Sequence, residues 1–520
     1  MSLIDTVALN RLQIEFRQSM RNLLLGLCQD IQDHYADLAD RFGVPVEYFR
    51  FLANTFDRTA YSNWKIVGWI EALNDLVYFL DLLAQIRQER DQRGFAEQLF
   101  EECRVKFFEN SYLDELYPRG QPQSQGLAGR LRWLCMRLAV EITQESLFFD
   151  PRRALEWLKR QRWDSWDVPG RLDGSFERAE RAYAVPIGLD GSALMAPASV
   201  KRAIGKPSRR VTFVLSEDVI SLRIGRTFPI CTSRGTAMHW HWPMRDASKA
   251  AALPSGPLTV GPTLKYGRNR EPRTVAATDA EQIARIGRAW RTIGQAWPEG
   301  HALLEVLTSR VIPLKAPGVV SFSYRHRPGL SFVNCFDRDN LDLIDDLIHE
   351  NSHHHLNLLL RKHVLYYGDG NQQIFYSPWR MSLRPIRGIL HAAFTFTMGA
   401  QLFARLSAWA ETAEGRTQWR KAGLSPRHLM RARFRCLEEI ESVQYSLRDL
   451  EYAGRHLKWI TSSGARLIKQ LEEAILSAER QMSAHRRTVL DSFYGPALRK
   501  HVAQLRNARR TYGPMRLVQA

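Results

Sequence analysis

Apolar residues recur at three- and four-residue spacing from residue 8 to about 115, as in LLLGLCQDIQDHYADLADRF and VGWIEALNDLVYFLDLLAQI. That period predicts amphipathic helices. A turn-rich break follows at 117–129 (YPRGQPQSQGLAG), and a further helix is expected at about 128–161. Between about 180 and 240 the pattern shifts to near-alternation with β-branched residues, as in VTFVLSEDVISLRIG, which predicts strands. Pro- and Gly-rich sequence continues over 252–273, and a helix fits at about 278–296. VVSFSY and LSFVNC, separated by RHRPG, read as a strand pair near 319–335 joined by a tight connection. One strong helix is expected from Asn340 to about His363, then a loop (YYGDGNQQIFYSPWRMSLRP), then a helix from near Ile386 to about Glu414. The remainder to about Arg510 is helical by period, with no long-range repeat.

The expected fold is therefore α+β and mostly α-helical. Three regions are expected: an N-terminal helical region at 1–165, a mixed β and loop region at 166–335, and a helical region at 336–520.

The helix beginning at Asn340 changes the picture, because LDLIDDLIHENSHHHLNLLL contains His349-Glu350-Asn351-Ser352-His353, an HExxH pattern. Residues four apart on an α-helix differ by only about forty degrees in direction, so both imidazoles leave one face. Two neutral imidazoles so placed can bind one divalent ion. On a helical wheel Asp342, Asp345, Asp346, Glu350 and His353 gather around His349, while Leu343, Ile344, Leu347, Ile348, Leu358 and Leu359 cover the opposite side. Such a cluster of acids repels itself unless a cation or solvent offsets it. His354 and His355 point toward the apolar side and read as structural.

A third ligand is needed. Leu356 and Leu359 stand where a metzincin would carry Gly and His, which excludes that class. His363 sits off the His349 face. His391, on the next helix, is a candidate if that helix returns antiparallel, although a lone His on an apolar helix can equally be a packed core residue. Between these histidines lie Arg380, Arg384 and Arg387. A guanidinium can hold a carboxylate through two hydrogen bonds, so three beside a metal site suggest an anionic co-substrate. A rival pair, His239 and His241, has the spacing of one face of a strand, but no carboxylate follows at a useful spacing and Trp residues flank it.

Composition adds less. The chain has 520 residues, 45% hydrophobic and 25% charged, with a formal net charge of +18. A basic balance favours anionic partners, but the charge is scattered, and neither an RNP-like aromatic motif nor a paired-Cys finger accompanies it. Nucleic acid is the weaker reading. The six cysteines are far apart without a CxxC, which fits reduced thiols rather than a disulfide framework. No signal peptide and no membrane-spanning run is evident, so a cytoplasmic location is expected.

From about Leu330 to Phe396 the chain resembles the HExxH-motif proteins found with ribosomally made, post-translationally modified peptides. The resemblance rests on GLSFVNCFDRDNLDLIDDLIHENSHH, then YSPWRMSLRP, then RGILHAAFTF, in that order. The N-terminal helical third and LKWITSSGARLIKQL are similar more weakly. The resemblance implies a zincin-like HExxH helix beside a small β-sheet. It also implies an iron(II)- and 2-oxoglutarate-dependent peptide β-hydroxylase. In it His349, His353 and His391 would hold iron, and one or more of Arg380, Arg384 and Arg387 would bind the 2-oxoglutarate carboxylates. Glu350 would lie behind the ligands or face substrate, and a precursor peptide would be the partner. Ala392 stands where Gly is expected after the histidine. Two other readings stay open: a zinc metallopeptidase with Glu350 as the catalytic base, and a basic binding protein without catalysis.

Overall fold

The structure is a computed structural model. It describes the chain outside residues 1–4, 92–125 (apart from 94, 95 and 98), 162–164, 169–176, 180–181, 187–191, 201–210, 225, 246–250, 253–258, 261–263, 267–271, 276–279, 368–371 and 514–520. Of the expected turn-rich break at 117–129, residues 117–125 lie outside the described residues, as does Cys103, and Leu127 already begins a helix. The protein is α+β and mostly helical, with small sheets. Among the described residues no helix is long and apolar enough to cross a membrane.

The chain divides into two compact units: Arg17–Lys249, and Met1–Phe16 together with Ala250–Ala520. Helix α1 (Thr6–His34) spans the boundary. The first unit continues with α2 (Ala36–Phe42), α3 (Val46–Thr55) and α4 (Trp64–Gln88), then α5 (Leu127–Phe149) and α6 (Pro151–Gln161). The single helix expected at 128–161 is thus two. Pro151 opens the second, where its missing N–H does no harm, after Asp150 has left helical geometry. α4 and α5 pack together, and the Trp69 indole donates to Glu145 Oε2 at 3.0 Å between them.

Among the described residues the strands of this unit are β1 (Ser165–Val168), β2 (Glu177–Ala179), β3 (Ala182–Pro186), β4 (Ala193–Met195), β5 (Val211–Ser216), β6 (Val219–Ile224), β7 (Arg226–Arg234), β8 (Ala237–Trp240) and β9 (Met244–Arg245). They form an antiparallel sheet in the order β1-β5-β6-β7-β8 and a smaller one in the order β2-β3-β4-β9. The alternation in VTFVLSEDVISLRIG is the β5–β6 hairpin.

The second unit contains β10 (Ala251–Ala252), β11 (Thr259–Val260), β12 (Leu264–Tyr266) and β13 (Pro272–Val275), then α7 (Ala280–Ala296) and α8 (Pro298–Leu307). Next come β14 (Arg310–Lys315), β15 (Phe322–Ser323) and β16 (Leu330–Asn334). β14 is the hub: it pairs in parallel with β11 and β12 and also with β16. β16 is buried along its whole length, as a parallel strand covered on both faces should be. The expected strand pair is the antiparallel β15–β16 hairpin, with Phe322 opposite Phe332. Its turn needs Gly329, whose φ is +85° and whose missing Cβ would stand 3.1 Å from the Leu307 carbonyl oxygen.

Helix α9 (Asn340–Lys362) lies against β15, β16, α7 and α8. Asp339 caps it, accepting from the Leu341 and Asp342 amides, while the Asp342 carboxylate takes the Asp339 N–H in return. The expected loop after it contains a further hairpin, β17 (Phe375–Ser377) with β18 (Ser382–Arg384). These strands are only three residues long, too short for a period to show. Helices α10 (Ile386–Glu411), α11 (Ala413–Lys421), α12 (Pro426–Arg455), α13 (Ser462–Met482), α14 (Arg486–Leu490) and α15 (Gly495–Tyr512) follow. α10 is the inner helix, packed along α9, α12 and α13. Apolar residues dominate its buried positions, from Ile386 and Ile389 to Leu406.

Candidate metal centre

α9 and α10 bring the three predicted histidines side by side. The His349 and His353 rings, one turn apart on α9, have centroids 5.0 Å apart and planes at 82°. Across the helix interface the His353 and His391 centroids are 6.1 Å apart at 33°. All three residues are partly exposed, whereas their neighbours Ile348, Ser352, His354 and Leu390 are buried. They form an accessible row in an otherwise closed helix packing.

The row's chemistry suits a borderline divalent cation. Burial lowers the His349 imidazole pKa, with the Arg435 and Arg380 guanidiniums acting in the same direction and Asp345 against them. Burial, then the charges of its histidine neighbours, hold His353 well below its ordinary value. A metal ligand must be the neutral imidazole, the form that these shifts favour. With metal–nitrogen bonds of about 2.0–2.1 Å, two imidazoles on one ion put their ring centroids about 4.5–5.2 Å apart. The 349–353 pair meets that spacing. The 353–391 pair is about 1 Å wider, so His391 must rotate inward to join. Among the described residues no group of His, Cys, Asp and Glu stands ready-converged to hold a metal ion.

The acids that share the helix with these histidines are answered by arginines rather than by solvent. Arg431 Nη2 bonds both Asp339 Oδ1 at 2.6 Å and Asp342 Oδ1 at 3.1 Å, and Arg435 Nη2 reaches Asp345 Oδ2 at 3.3 Å. Asp346 accepts from Ser321 Oγ at 2.6 Å, and the Arg338 guanidinium lies 3.6 Å away. Burial nonetheless raises Asp346 to about 6.

Glu350, between His349 and His353 in the pattern, is buried where they are partly exposed. It is only 2% exposed, its carboxyl bonds the Ser323 hydroxyl on β15, and Oε2 has no hydrogen-bond partner. Burial pushes its pKa up to about 8, which keeps the carboxyl protonated at neutral pH. His354 and His355 are core residues, as their place on the wheel implies. The Gly329 N–H donates to His354 Nδ1, leaving Nε2 to face Ser331 Oγ at 3.0 Å, and the His355 ring meets Phe394 edge-on. His363 caps the far end of α9.

The three arginines group at the β17–β18 hairpin and the start of α10. Burial and the charges of Arg380 and Arg387 all lower the Arg384 pKa. Three cations crowd together there, and Arg380 also acts on His349. Among the described residues neither Arg380 nor Arg384 forms an ion pair. The cluster is therefore suited to an external anion.

Four further residues complete the surroundings, and no sequence motif assigns them a role. The Trp379 indole lies flat on Phe396, with centroids 4.3 Å apart and planes at 7°. Phe396 meets His349 at 5.2 Å and 62°. Trp379 Nε1 donates to Glu439 Oε2 at 2.9 Å, and Arg435 Nη2 donates to Glu439 Oε1 at 2.9 Å. In the sequence, Arg435 and Glu439 read as an ordinary i,i+4 surface pair. The rival pair His239 and His241 is exposed in the other unit, where His241 Nε2 shares a 2.6 Å hydrogen bond with Thr232 Oγ1.

No family model and no curated protein matches the chain.

Proposed function

We propose that this chain is an iron(II)- and 2-oxoglutarate-dependent hydroxylase acting on a side chain of a ribosomally made precursor peptide. The observation that carries the reading is the row of partly exposed histidines, with burial lowering the pKa of two of them, beside the guanidinium cluster of Arg380, Arg384 and Arg387. His349, His353 and His391 would hold the iron. With its co-substrate bound, the iron supplies the oxidising chemistry that hydroxylates an unactivated carbon.

The chain's own residues do the rest. Three neutral nitrogens leave open positions for other ligands and add no charge. Arg384 and Arg387, at the mouth of α10, would bind and orient the 2-oxoglutarate carboxylates, with Arg380 on the hairpin tip adding to the field. The peptide as substrate rests on the resemblance of the stretch from Leu330 to Phe396, as does the zincin-like placement of the HExxH helix beside a small sheet. The described cysteines are free and buried, which fits a reducing, cytoplasmic setting.

Glu350 favours this reading over a zinc peptidase. A peptidase of the HExxH type needs an ionised, reachable carboxylate to take a proton from metal-bound water. Glu350 is only 2% exposed and bonded to Ser323 on β15, and its burial raises the carboxyl pKa.

The test is anaerobic loading of the purified protein with iron(II) and 2-oxoglutarate, then oxygen and candidate peptides, with succinate as the readout. Elemental analysis of the wild type and of His353→Ala accompanies it. Iron bound by the wild type, lost in His353→Ala, together with peptide-stimulated succinate, is the expected result. Tight zinc with peptide cleavage would overturn it.

A further inference from the structure

We infer that Trp379 is a positioning residue for the His349 imidazole, and that Glu439 and Arg435 hold Trp379 in that place. The inference rests on His349 being a metal ligand, as proposed above.

The contacts form a closed circuit through four elements. From α9 the His349 ring meets Phe396 of α10 edge-on at 5.2 Å. Phe396 is covered on its face by Trp379, from the turn between β17 and β18, at 4.3 Å. The indole N–H is fixed by Glu439 of α12 at 2.9 Å, and Glu439 is fixed by Arg435 at 2.9 Å. Arg435 then returns to α9 at Asp345, 3.3 Å away and one turn before His349. The imidazole is thus constrained from its ring edge by the aromatic pair and from its own helix by the Asp345–Arg435 contact.

Simple packing does not require these residue types. A side chain that only filled space beside Phe396 would be apolar. Instead a carboxylate is buried to 3% exposure so that it can accept from one indole N–H and one guanidinium. Burying a carboxylate is costly in desolvation unless such bonds offset it. What the arrangement secures is direction: a hydrogen bond at one edge of the indole sets its plane, and the stacked plane sets Phe396. The turn that carries Trp379 is itself held in an unusual conformation, with Met381 at φ 50° and its N–H bonded to the Ser377 carbonyl at 2.8 Å.

Orienting partners of metal-bound histidines typically contribute about 10–100-fold to metal affinity. The experiment is cobalt(II) titration of the full-length protein, followed by visible absorption and by chelator competition. Wild type, Trp379→Ala, Trp379→Phe, Glu439→Gln and His349→Ala are compared, each with the unfolding temperature of its metal-free form. Trp379→Ala is expected to bind cobalt(II) about 10–100-fold more weakly with altered absorption bands, and Glu439→Gln to weaken in the same direction. Trp379→Phe, which keeps the stack but loses the bond to Glu439, is expected to fall between wild type and Trp379→Ala. If Trp379→Ala fails to fold, Glu439→Gln decides the matter. Wild-type affinity and an unchanged spectrum in the folded Trp379 and Glu439 variants, with binding lost in His349→Ala, overturn the inference and leave the metal reading standing. No cobalt(II) binding by the wild type overturns both.

Discussion

Thr308 donates its hydroxyl proton to Asn351 Oδ1 at 2.7 Å, and both residues are almost wholly buried. Asn351 is one of the two variable positions inside the HExxH pattern, and Thr308 sits between α8 and β14. The bond therefore ties α9 to the segment that leads into β14.

Removing that donor strands a buried amide oxygen. Thr308→Val keeps the shape, so its cost is the unmet acceptor. It is expected to lower stability by about 1–3 kcal/mol. Denaturant unfolding would show it, and the double variant Thr308→Val with Asn351→Leu should lose less than the sum of the single changes. Additive losses would mean that the two side chains do not interact.

His326 gives a pH dependence of known sign. Burial, reinforced by the Arg327 and Arg361 guanidiniums, lowers its pKa from 6.5 to about 3. Below pH 6.5 the unfolded chain takes up a proton that the folded chain refuses. The stability this histidine contributes is complete above 6.5 and is lost as the pH falls from there toward 3. His326→Phe keeps a ring beside Tyr324 and removes the titration. Relative to wild type, the variant should gain stability steadily between pH 6.5 and 4. A constant difference across that range would sink this assignment.

The guanidinium cluster predicts a separation of effects. Arg384→Met should raise the 2-oxoglutarate concentration for half-maximal turnover by about tenfold or more, since a charge-assisted pair contributes about 1.5–3 kcal/mol. Cobalt(II) affinity should stay within about threefold, because Arg384 supplies no metal ligand. Isothermal titration with each ligand separates the two. Equal loss of both would mean that the substitution disturbs the α9–α10 packing instead.

Thiol chemistry offers a check on the core. Cys28, Cys135, Cys231, Cys335 and Cys436 are all free and buried. Burial pushes the Cys28 thiol up to about 12 and Cys231 to about 11, and raises Cys135 and Cys436 further. A thiolate is the reactive form, so these residues should be inert to a disulfide reagent at pH 8 until the protein is unfolded in urea. Prompt reaction of more than one thiol in the folded protein would contradict the packing described.

The linear chain by itself determined the elements whose patterns repeat. α9 is legible because its period runs through more than six turns; α7 and α10 are legible for the same reason of length. The 349–353 pair was legible because four residues along a helix return to one face, whatever the rest of the chain does. Tertiary structure decided everything that depends on distant segments. It set His391 beside His353, turned the expected loop into the β17–β18 hairpin, and placed Trp379 on Phe396. It also buried Glu350, which the wheel groups with His349, and bonded it to Ser323 of β15. Which side of a helix is wet depends on what packs against it, and neither Ser323 nor Glu439 lies near enough in sequence to announce itself.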